Sequence, residues 1–405
     1  MNILFLSEIF YPHGSGAELA TFLYADLLSK ANINVSVITN RFAGEPEVSK
    51  RGSLTVYRLS LFERSGTVKY SILKRFDVLF SSFMRKMMKC ADVVYIPRFW
   101  FSAITIAKTQ KKPVITHLHD YIPICPVSNL YNETKATVCD CNSIICPPRC
   151  IYDYEKTHGR NLGETLTSVI LNLSIGHHLP KLIKLSDAIV CVSKVQRNII
   201  VEREQSLRDR TYVVYNPYPN FSDMRASGDD FGYFGGPDIL KGFKVLYQAM
   251  LHLNNAGSKS VKIHSTKFQT TNEQVARALT KLGFLLYRKL DKDDFEKVYR
   301  NIRAVVVPSV WHEPWPYVVV EALVRGRFVI ASSMGGIPEQ VDGCHGVMLF
   351  KAGDYRELAD SLEFVDGLKR EEIIDLGSQN REAFLKKFDN ESSIRGFINI
   401  CDRLT

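Results

Sequence analysis

Residues 304–323 read AVVVPSVWHEPWPYVVVEAL, and this stretch indicates the fold more clearly than any other part of the chain. Its short β-branched apolar run predicts a buried strand, and the residues from Tyr317 onward predict a helix. Between the two lies a loop rich in proline and tryptophan that contains Glu313. A strand that leads through a loop into a helix is the repeating unit of parallel α/β sheets.

The same alternation of strand and helix extends through the rest of the chain. In the first half, apolar runs predict strands at 2–6, 35–38, 91–96, 114–116, 188–192 and 212–215. In the second half they predict strands at 231–234, 261–264, 284–286, 304–307, 328–331 and 347–350. These runs lack a strict polar–apolar alternation, so helices should cover both faces of each sheet. The pattern predicts two doubly wound α/β domains.

A proline pair in the segment NPYPN, residues 216–220, marks the predicted boundary between the domains. The predicted domains are therefore 1–218 and 219–389, and 405 residues suit two domains. Ligands of open α/β sheets bind beyond the carboxyl ends of the strands. If the two domains face each other, a cleft between them is the expected active site.

The net charge of +9 is confined to the first half of the chain. Residues 1–220 hold 27 lysines and arginines against 18 acidic residues, whereas residues 221–405 hold 25 of each. Within 50–112 there are 14 basic and 3 acidic residues. This asymmetry indicates either an anionic partner (nucleic acid, a membrane surface or a phosphorylated substrate) or a solvated basic surface.

Composition excludes several classes of protein. Hydrophobic residues make up 45% of the chain, which is too many for a disordered protein, and no apolar run approaches the ~20 residues of a membrane span. The first predicted strand follows Met1 directly, so we expect no secretory signal and a cytoplasmic protein.

Five of the nine cysteines crowd into a predicted insertion at 121–155. They are Cys125, Cys139, Cys141, Cys146 and Cys150. In a chain without a secretory signal such a cluster more often binds metal than forms disulfides. Four thiolates (the last four) can enclose a structural zinc, although the spacing is not a pair of Cys-x2-Cys motifs, and disulfides remain the alternative.

Gly14, Ser15 and Gly16 separate the first predicted strand from the first helix. Glycines there allow backbone amides to approach a phosphate at the helix N-terminus. A tight turn explains the same residues, and the spacing matches neither the dinucleotide nor the P-loop motif. We interpret this segment as a phosphate or acceptor loop.

Carboxylates and glycines recur at two later strand ends. Glu313 lies in the loop after one strand and Glu321 lies in the following helix. After the next strand comes the segment GGIPE, with Gly335, Gly336 and Glu339. Carboxylates at strand ends can accept both hydroxyls of a ribose or sugar, and glycine amides can contact phosphate.

The frame Pro-Ser-x3-Glu-x7-Glu-Ala resembles the signature of retaining nucleotide-sugar glycosyltransferases of family 4, which have the GT-B fold. The resemblance covers the whole chain, from the first strand to the GGIPE loop. It implies two Rossmann-like domains facing an interdomain cleft, with the acceptor on the first and the donor on the second. It also implies that a C-terminal helix at 390–405 packs back on the first domain.

The resemblance assigns roles to single residues. Glu321 would bind the donor ribose, Glu313 would lie beside the donor sugar, and Lys241 would bind the diphosphate. The family usually has an arginine six residues before that lysine, where this chain has Gly235. Arg325 and Lys244 are candidates for a compensating cation, although the sequence does not show that either lies near Lys241. The donor site would also include Gly335, Gly336 and Glu339.

The resemblance also places a histidine beside the donor sugar. We favour His119 over His117, because His119 directly precedes Asp120 as in the family's His-Asp-Tyr form. The implied reaction is front-face transfer with retention, without a catalytic metal, from a UDP- or GDP-sugar. The letters Asp-x-Asp at 291–293 fall at a predicted helix start, so we interpret them as a cap rather than a manganese site.

The implied acceptor is a glycan or a polyprenyl-phosphate-linked sugar, in cell-surface polysaccharide or glycoconjugate synthesis. A basic amphipathic segment at 71–89 is predicted to lie on the anionic cytoplasmic face of a membrane. The alternatives are a nucleotide-sugar epimerase of the GT-B fold and a zinc-knuckle nucleic-acid-binding protein. The second is disfavoured because 139–150 contains a single basic residue, Arg149, and no aromatic residue.

Overall fold

The structure is a computed structural model that describes residues 1–60, 77–125, 127–139, 148–176, 178–258, 260–268 and 272–405. The chain divides into two compact units, one formed by Met1–Pro219 with Asp389–Thr405 and the other by Asn220–Phe388.

The described residues of the first unit form ten strands. They are β1 Asn2–Leu6, β2 Asn34–Asn40, β3 Val48–Arg51, β4 Leu54–Leu59, β5 Val93–Ile96, β6 Val114–Leu118, β7 Tyr131–Asn132, β8 Thr137–Val138, β9 Ala188–Cys191 and β10 Thr211–Val213. Its helices before the boundary are α1 Gly16–Lys30, α2 Ser82–Cys90, α3 Ala103–Thr109, α4 Pro148–Thr157, α5 Leu162–Leu171, α6 His178–Ile183 and α7 Lys194–Arg203. Short 3₁₀ segments cover Asp77–Phe80 and Gln205–Arg210, and a π-helical turn covers Asn172–Gly176.

Eight of these strands form one sheet in the order β10-β9-β6-β5-β1-β2-β4-β3. All pairs are parallel except β3 with β4. Strand β1 lies between β5 and β2, so the direction in which strands are added changes at β1. The carboxyl end of β1 is therefore the topological switch point, where open α/β sheets bind ligands.

In the second unit, the residues that the structure describes form six strands and seven helices. The strands are β11 Asp230–Tyr233, β12 Ile263–Ser265, β13 Phe284–Leu286, β14 Ile302–Val307, β15 Phe328–Ser332 and β16 Val347–Phe350. The helices are α8 Phe243–Asn255, α9 Glu273–Lys281, α10 Lys292–Asn301, α11 Tyr317–Val324, α12 Ile337–Val341, α13 Tyr355–Gly367 and α14 Arg370–Lys387. The all-parallel order β13-β12-β11-β14-β15-β16 places the switch point at the carboxyl ends of β11 and β14.

After the second unit the chain returns to the first through helix α15, Asn390–Leu404. Ile394, Phe397, Ile400 and Cys401 are buried in the same core cluster as β1 and α1. The Phe397 ring lies 5.2 Å from the Tyr95 ring, measured between centroids. The last helix is therefore part of the first unit's core. Across the described residues, no helix is both long and apolar enough to cross a bilayer.

Candidate functional site

Glu313 is the centre of a polar cluster at the switch point of the second unit. It lies in the loop after β14 and is only 3% exposed. Its Oε1 accepts hydrogen bonds from Lys241 Nζ at 2.6 Å and from Ser309 Oγ at 2.9 Å. A buried carboxylate needs such partners to stay ionised. Glu313 is therefore held in one orientation by a lysine and a serine.

Lys241 reaches Glu313 because two loops meet through their backbones. Gly242 has φ +76°, and a Cβ atom there would lie 1.7 Å from the Pro308 carbonyl oxygen. The amide of Val310 donates to the Leu240 carbonyl at 3.0 Å. Only glycine permits this approach. The ammonium group of Lys241, whose side chain is 40% exposed, also lies 5.4 Å from the Trp311 ring centroid.

Gly335 and Gly336 support the Glu313 loop from the other side. Gly335 has φ +57°, and a Cβ atom there would lie 2.2 Å from the Glu313 carbonyl oxygen. The amide of Gly336 donates to that same oxygen at 2.7 Å. The Gly336 amide, which we expected to contact phosphate, is thus engaged within the protein. The glycine pair shapes the loop that carries Glu313.

Glu321 lies on α11 within a charged network. Its Oε1 accepts a hydrogen bond from Arg325 Nε at 2.9 Å, and the Arg325 guanidinium also binds both carboxylate oxygens of Glu296. Burial raises the pKa of Glu321 and Arg325 opposes that rise. Arg325 is therefore committed to carboxylates of this network. Glu339 lies half-buried in the first turn of α12.

Position 235 cannot hold the arginine that the resemblance led us to expect. A Cβ atom on Gly235 would lie 2.5 Å from the Tyr233 hydroxyl oxygen and 2.8 Å from Lys241 Cβ. The Tyr233 hydroxyl is fixed by donating to the Gly236 carbonyl at 2.7 Å. Any side chain at 235 would displace one of these groups.

The Asp-x-Asp letters at 291–293 are a helix cap, as predicted. Asp291 is the N-cap of α10, and its Oδ1 accepts a hydrogen bond from the Asp294 amide at 2.8 Å. Asp293 and Asp294 lie in the first turn, where acidic side chains complement the helix dipole.

In the first unit, a carboxylate of the chain itself closes the glycine loop. Glu18 Oε2 accepts hydrogen bonds from the Ser15 amide at 2.7 Å and from Ser15 Oγ at 3.2 Å. Gly14 has φ +93°, and a Cβ atom there would lie 2.4 Å from Glu18 Cγ. This carboxylate occupies the place of an external anion at the start of α1. The loop does not present the Ser15 amide to phosphate, which corrects that part of our interpretation of Gly14, Ser15 and Gly16.

Arg98 is a candidate site residue that the sequence analysis missed. It follows β5, and its Nη1 donates to Glu18 Oε1 at 2.9 Å. Its buried Nε has no hydrogen-bond partner among the described residues. The sequence signal that could have identified Arg98 is its position just after a buried strand, because ligands of α/β sheets bind at the strand ends.

His117 and His119 stack on each other at the end of β6. Their ring centroids are 4.5 Å apart. His117 lies within the strand and its Nδ1 is 2.7 Å from the Tyr95 hydroxyl, whereas His119 lies one residue beyond the strand. Burial lowers the pKa of His119 well below its usual value, with further contributions from His117 and Arg98. His119 is therefore a neutral imidazole at physiological pH.

His117 predicts a pH dependence of stability. Burial lowers its pKa to about 3, whereas an unfolded histidine titrates near ~6.5. Because the unfolded chain then binds the proton more readily, the stabilisation is complete above ~pH 6.5 and is lost as pH falls towards 3. From ~pH 7.5 to ~5.5, wild type should lose about 1.4 kcal/mol more unfolding free energy than His117→Gln, measured by urea denaturation. Parallel pH profiles for the two proteins would contradict this assignment.

The structure describes part of the cysteine cluster. Cys139 and Cys150 are partly buried, while Cys141 and Cys146 fall outside the described residues. Burial raises the pKa of the Cys125 thiol to about 11, so this cysteine is an unreactive core residue. Within the described ranges, no three His, Cys, Asp or Glu residues are grouped as metal ligands would be.

Comparison with protein families matches residues 229–365 to the family described as "Glycosyl transferases group 1". The matched segment spans β11 to α13 and includes Lys241, Glu313 and Glu321. A 42.6 kDa protein from the cps region of Klebsiella pneumoniae is 22% identical over 367 residues, which cover 84% of this chain and 87% of that protein.

Two solved structures show the fold of the whole chain. Sucrose-phosphate synthase from Thermosynechococcus elongatus aligns over 100% of this chain and 98% of its own, with a TM-score of 0.72 and 14% identity. HepE from Anabaena, solved with UDP and glucose, aligns over 99% of both chains, with a TM-score of 0.63 and 16% identity. These structures show that the chain has the GT-B fold, with two Rossmann-like units, and residues 229–365 match the group 1 glycosyltransferase domain.

Proposed function

We propose that the chain transfers a sugar with retention from a nucleoside-diphosphate sugar to a glycan or lipid-linked acceptor. The observation that carries this proposal is the pairing of Lys241 with the buried Glu313 at the switch point of the second unit, inside the group 1 domain. A lysine there suits a diphosphate, and a carboxylate beside it suits the sugar that the diphosphate carries.

Lys241 is suited to stabilise the leaving group. Its ammonium group is fixed by Glu313 yet partly exposed, so an incoming phosphate can share it without the loop moving. In the proposed reaction the bond from the anomeric carbon to the diphosphate oxygen breaks, and the acceptor oxygen bonds to the same face of that carbon. The acceptor proton passes to the departing phosphate. A fixed cation stabilises the negative charge that develops there.

The remaining roles follow from the resemblance and the local geometry. Glu321 is proposed to bind the ribose hydroxyls; its side chain is one-fifth exposed and is paired with Arg325, which supports this role. His119 is neutral, so it can accept a hydrogen bond from a sugar hydroxyl or donate one to it. The proposed reaction uses no catalytic metal. Gly335, Gly336 and Glu339 complete the donor side by shaping the loop around Glu313.

A donor screen tests the proposed function. Thermal denaturation of the full chain should be measured with UDP-, GDP- and ADP-sugars, with UDP-glucose first because UDP and glucose are bound in the HepE structure. One donor at ~100 times its Kd should stabilise the protein by about 2.7 kcal/mol. Absence of stabilisation by every donor, together with no release of nucleoside diphosphate, would refute the proposal.

A polysaccharide acceptor is the proposed destination of the sugar. The support is the relative from the cps region of Klebsiella pneumoniae. The concentration of positive charge in the first half suits a phosphate-linked acceptor.

Membrane binding through 71–89 is a further proposal, of which 71–76 lie outside the described residues. In the described part, α2 buries Met84 and Met88 and exposes Arg85, Lys86 and Lys89 to solvent, and Phe80 is 81% exposed. Replacing the three basic residues by glutamine should weaken binding to anionic vesicles in a co-sedimentation assay by about 100-fold, since each contributes about 1 kcal/mol. Unchanged sedimentation would rule out this surface.

A structural zinc held by Cys139, Cys141, Cys146 and Cys150 also remains a proposal, with disulfides as its alternative. Metal analysis of purified protein should find about one zinc per chain if the four thiolates bind it. Replacing Cys139 by serine should lower that content, whereas replacing the isolated, exposed Cys90 by serine should not. A metal-free wild type would exclude the zinc.

A further inference from the structure

Lys267 occupies an unusual backbone position at the carboxyl end of β12. It has φ +63°, a left-handed conformation that costs energy for any residue other than glycine, asparagine or aspartate. Backbone hydrogen bonds hold it on both sides, from Thr266 N to Tyr233 O at 3.3 Å and from Phe268 N to Tyr287 O at 3.0 Å. The chain therefore keeps a lysine at a position that favours glycine.

This backbone geometry places Lys267 against the loop that carries Lys241. A Cβ atom on Gly236 would lie 3.1 Å from Lys267 Cβ, so the two loops touch at this point. β12 pairs with β11, and their carboxyl ends therefore share one edge of the sheet. Lys267 thus extends the polar cluster at the switch point by one strand.

The charge of Lys267 is only partly offset, by the nearby Asp238. Burial and the nearby Lys241 both lower its pKa, and Asp238 opposes them. Within the described part of the chain, no salt bridge or hydrogen bond involves the Lys267 ammonium group. Lys241, by contrast, is paired with Glu313. Lys241 and Lys267 lie near two carboxylates, Glu313 and Asp238, but no ion pair among the described residues involves Lys267, so its ammonium group can bind an anionic ligand.

The cations that the resemblance suggested do not suit this role. Gly235 has no room for a side chain, Arg325 is bound to Glu321 and Glu296, and Lys244 is exposed on α8. We propose that Lys267 is the second cation of the diphosphate subsite and binds the donor's phosphates together with Lys241. This inference rests on the proposed function, because it assumes a nucleoside-diphosphate donor.

The experiment measures ligand affinity with three variants of the full chain. Calorimetric titration with UDP, GDP and ADP identifies the diphosphate that wild type binds, and the matching nucleoside serves as the ligand without phosphate. Lys267→Gly should weaken the diphosphate about tenfold, or about 1.4 kcal/mol, and leave the nucleoside unchanged. Lys267→Arg should retain the affinity. Lys262→Ala, an exposed lysine just before the same strand, is the matched control and should bind as wild type does.

Two further readouts separate binding from a structural role. Glycine suits φ +63°, so Lys267→Gly should melt no lower than wild type while it binds the diphosphate more weakly. Raising the pH should weaken diphosphate binding by wild type more than by Lys267→Arg, because an arginine stays charged.

The outcomes distinguish the inference from the function on which it rests. If wild type binds a nucleoside diphosphate and Lys267→Gly binds it equally well, the inference is wrong and the proposed function stands. If nucleoside and diphosphate weaken together, Lys267 does not act on the phosphates and the inference is again wrong. If wild type binds no nucleoside diphosphate, both fail.

Discussion

Glu313→Gln is expected to lower sugar transfer by about 100- to 1,000-fold, the loss typical of removing one electrostatic group from an active site. The substitution keeps the shape of the side chain and one oxygen for Ser309 Oγ, which lies 2.9 Å away. It removes the charge that fixes Lys241 at 2.6 Å. Steady-state release of the nucleoside diphosphate measures the loss.

Measurements of stability and nucleotide affinity show whether the lost activity reflects the chemical step rather than unfolding or weaker binding. The Lys241 side chain is 40% exposed, so losing its counter-ion should cost less than ~1 kcal/mol of unfolding free energy. Affinity for the nucleoside diphosphate should be kept or increased, because the lysine is then free for phosphate. Glu363→Gln, on the exposed face of α13, is the matched control and should turn over as wild type does. Wild-type turnover by Glu313→Gln would remove Glu313 from the mechanism.

Gly335→Ala should destabilise the second unit by about 2–5 kcal/mol and abolish transfer, because backbone strain and overpacking add. The new methyl group would lie 2.2 Å from the Glu313 carbonyl oxygen and 2.5 Å from its amide nitrogen. Relief of that contact requires the loop to move, and the loop carries the Glu313 carboxylate. Urea denaturation measures the stability and the donor assay measures the transfer.

The Gly353→Ala variant distinguishes the effect of left-handed backbone strain from that of a steric contact like the one between position 335 and Glu313. Gly353 has φ +84°, similar in sign to Gly335, but a Cβ atom there would meet nothing within 4 Å. Its substitution should cost only the left-handed backbone term of about 1–2 kcal/mol and leave transfer intact. Equal losses in the two variants would show that the contact with Glu313 contributes nothing.

Strand composition made most of the architecture predictable. β14 is buried along its whole length, and its β-branched residues predict a strand from the local sequence alone. The β3–β4 hairpin was missed, because β3 is a short edge strand with mostly exposed residues and no apolar run. Edge strands are recognisable only once the sheet beside them is known.

The site was predictable where one motif carries it and unpredictable where distant loops meet. The Glu313 and Glu321 pair lies within one strand–loop–helix unit, so its spacing is visible in the sequence. The Ser15-x-x-Glu18 spacing of a capping box was also visible, and it signals that α1 is capped by its own glutamate. Lys267 has no motif, and only the pairing of β11 with β12 brings it against the Gly236 loop.

The last helix determines the order in which the molecule can be completed during synthesis. Phe397 and its neighbours on α15 fill the core formed by β1 and α1, yet they are made only after the whole second unit. Domains usually fold as units in the order in which they leave the ribosome. Here the sequence of the second unit is complete before that of the first unit. The core of the first unit stays incomplete until α15 has been made. We expect a chain that ends at Phe388 to contain a folded second unit and a first unit that is prone to aggregate.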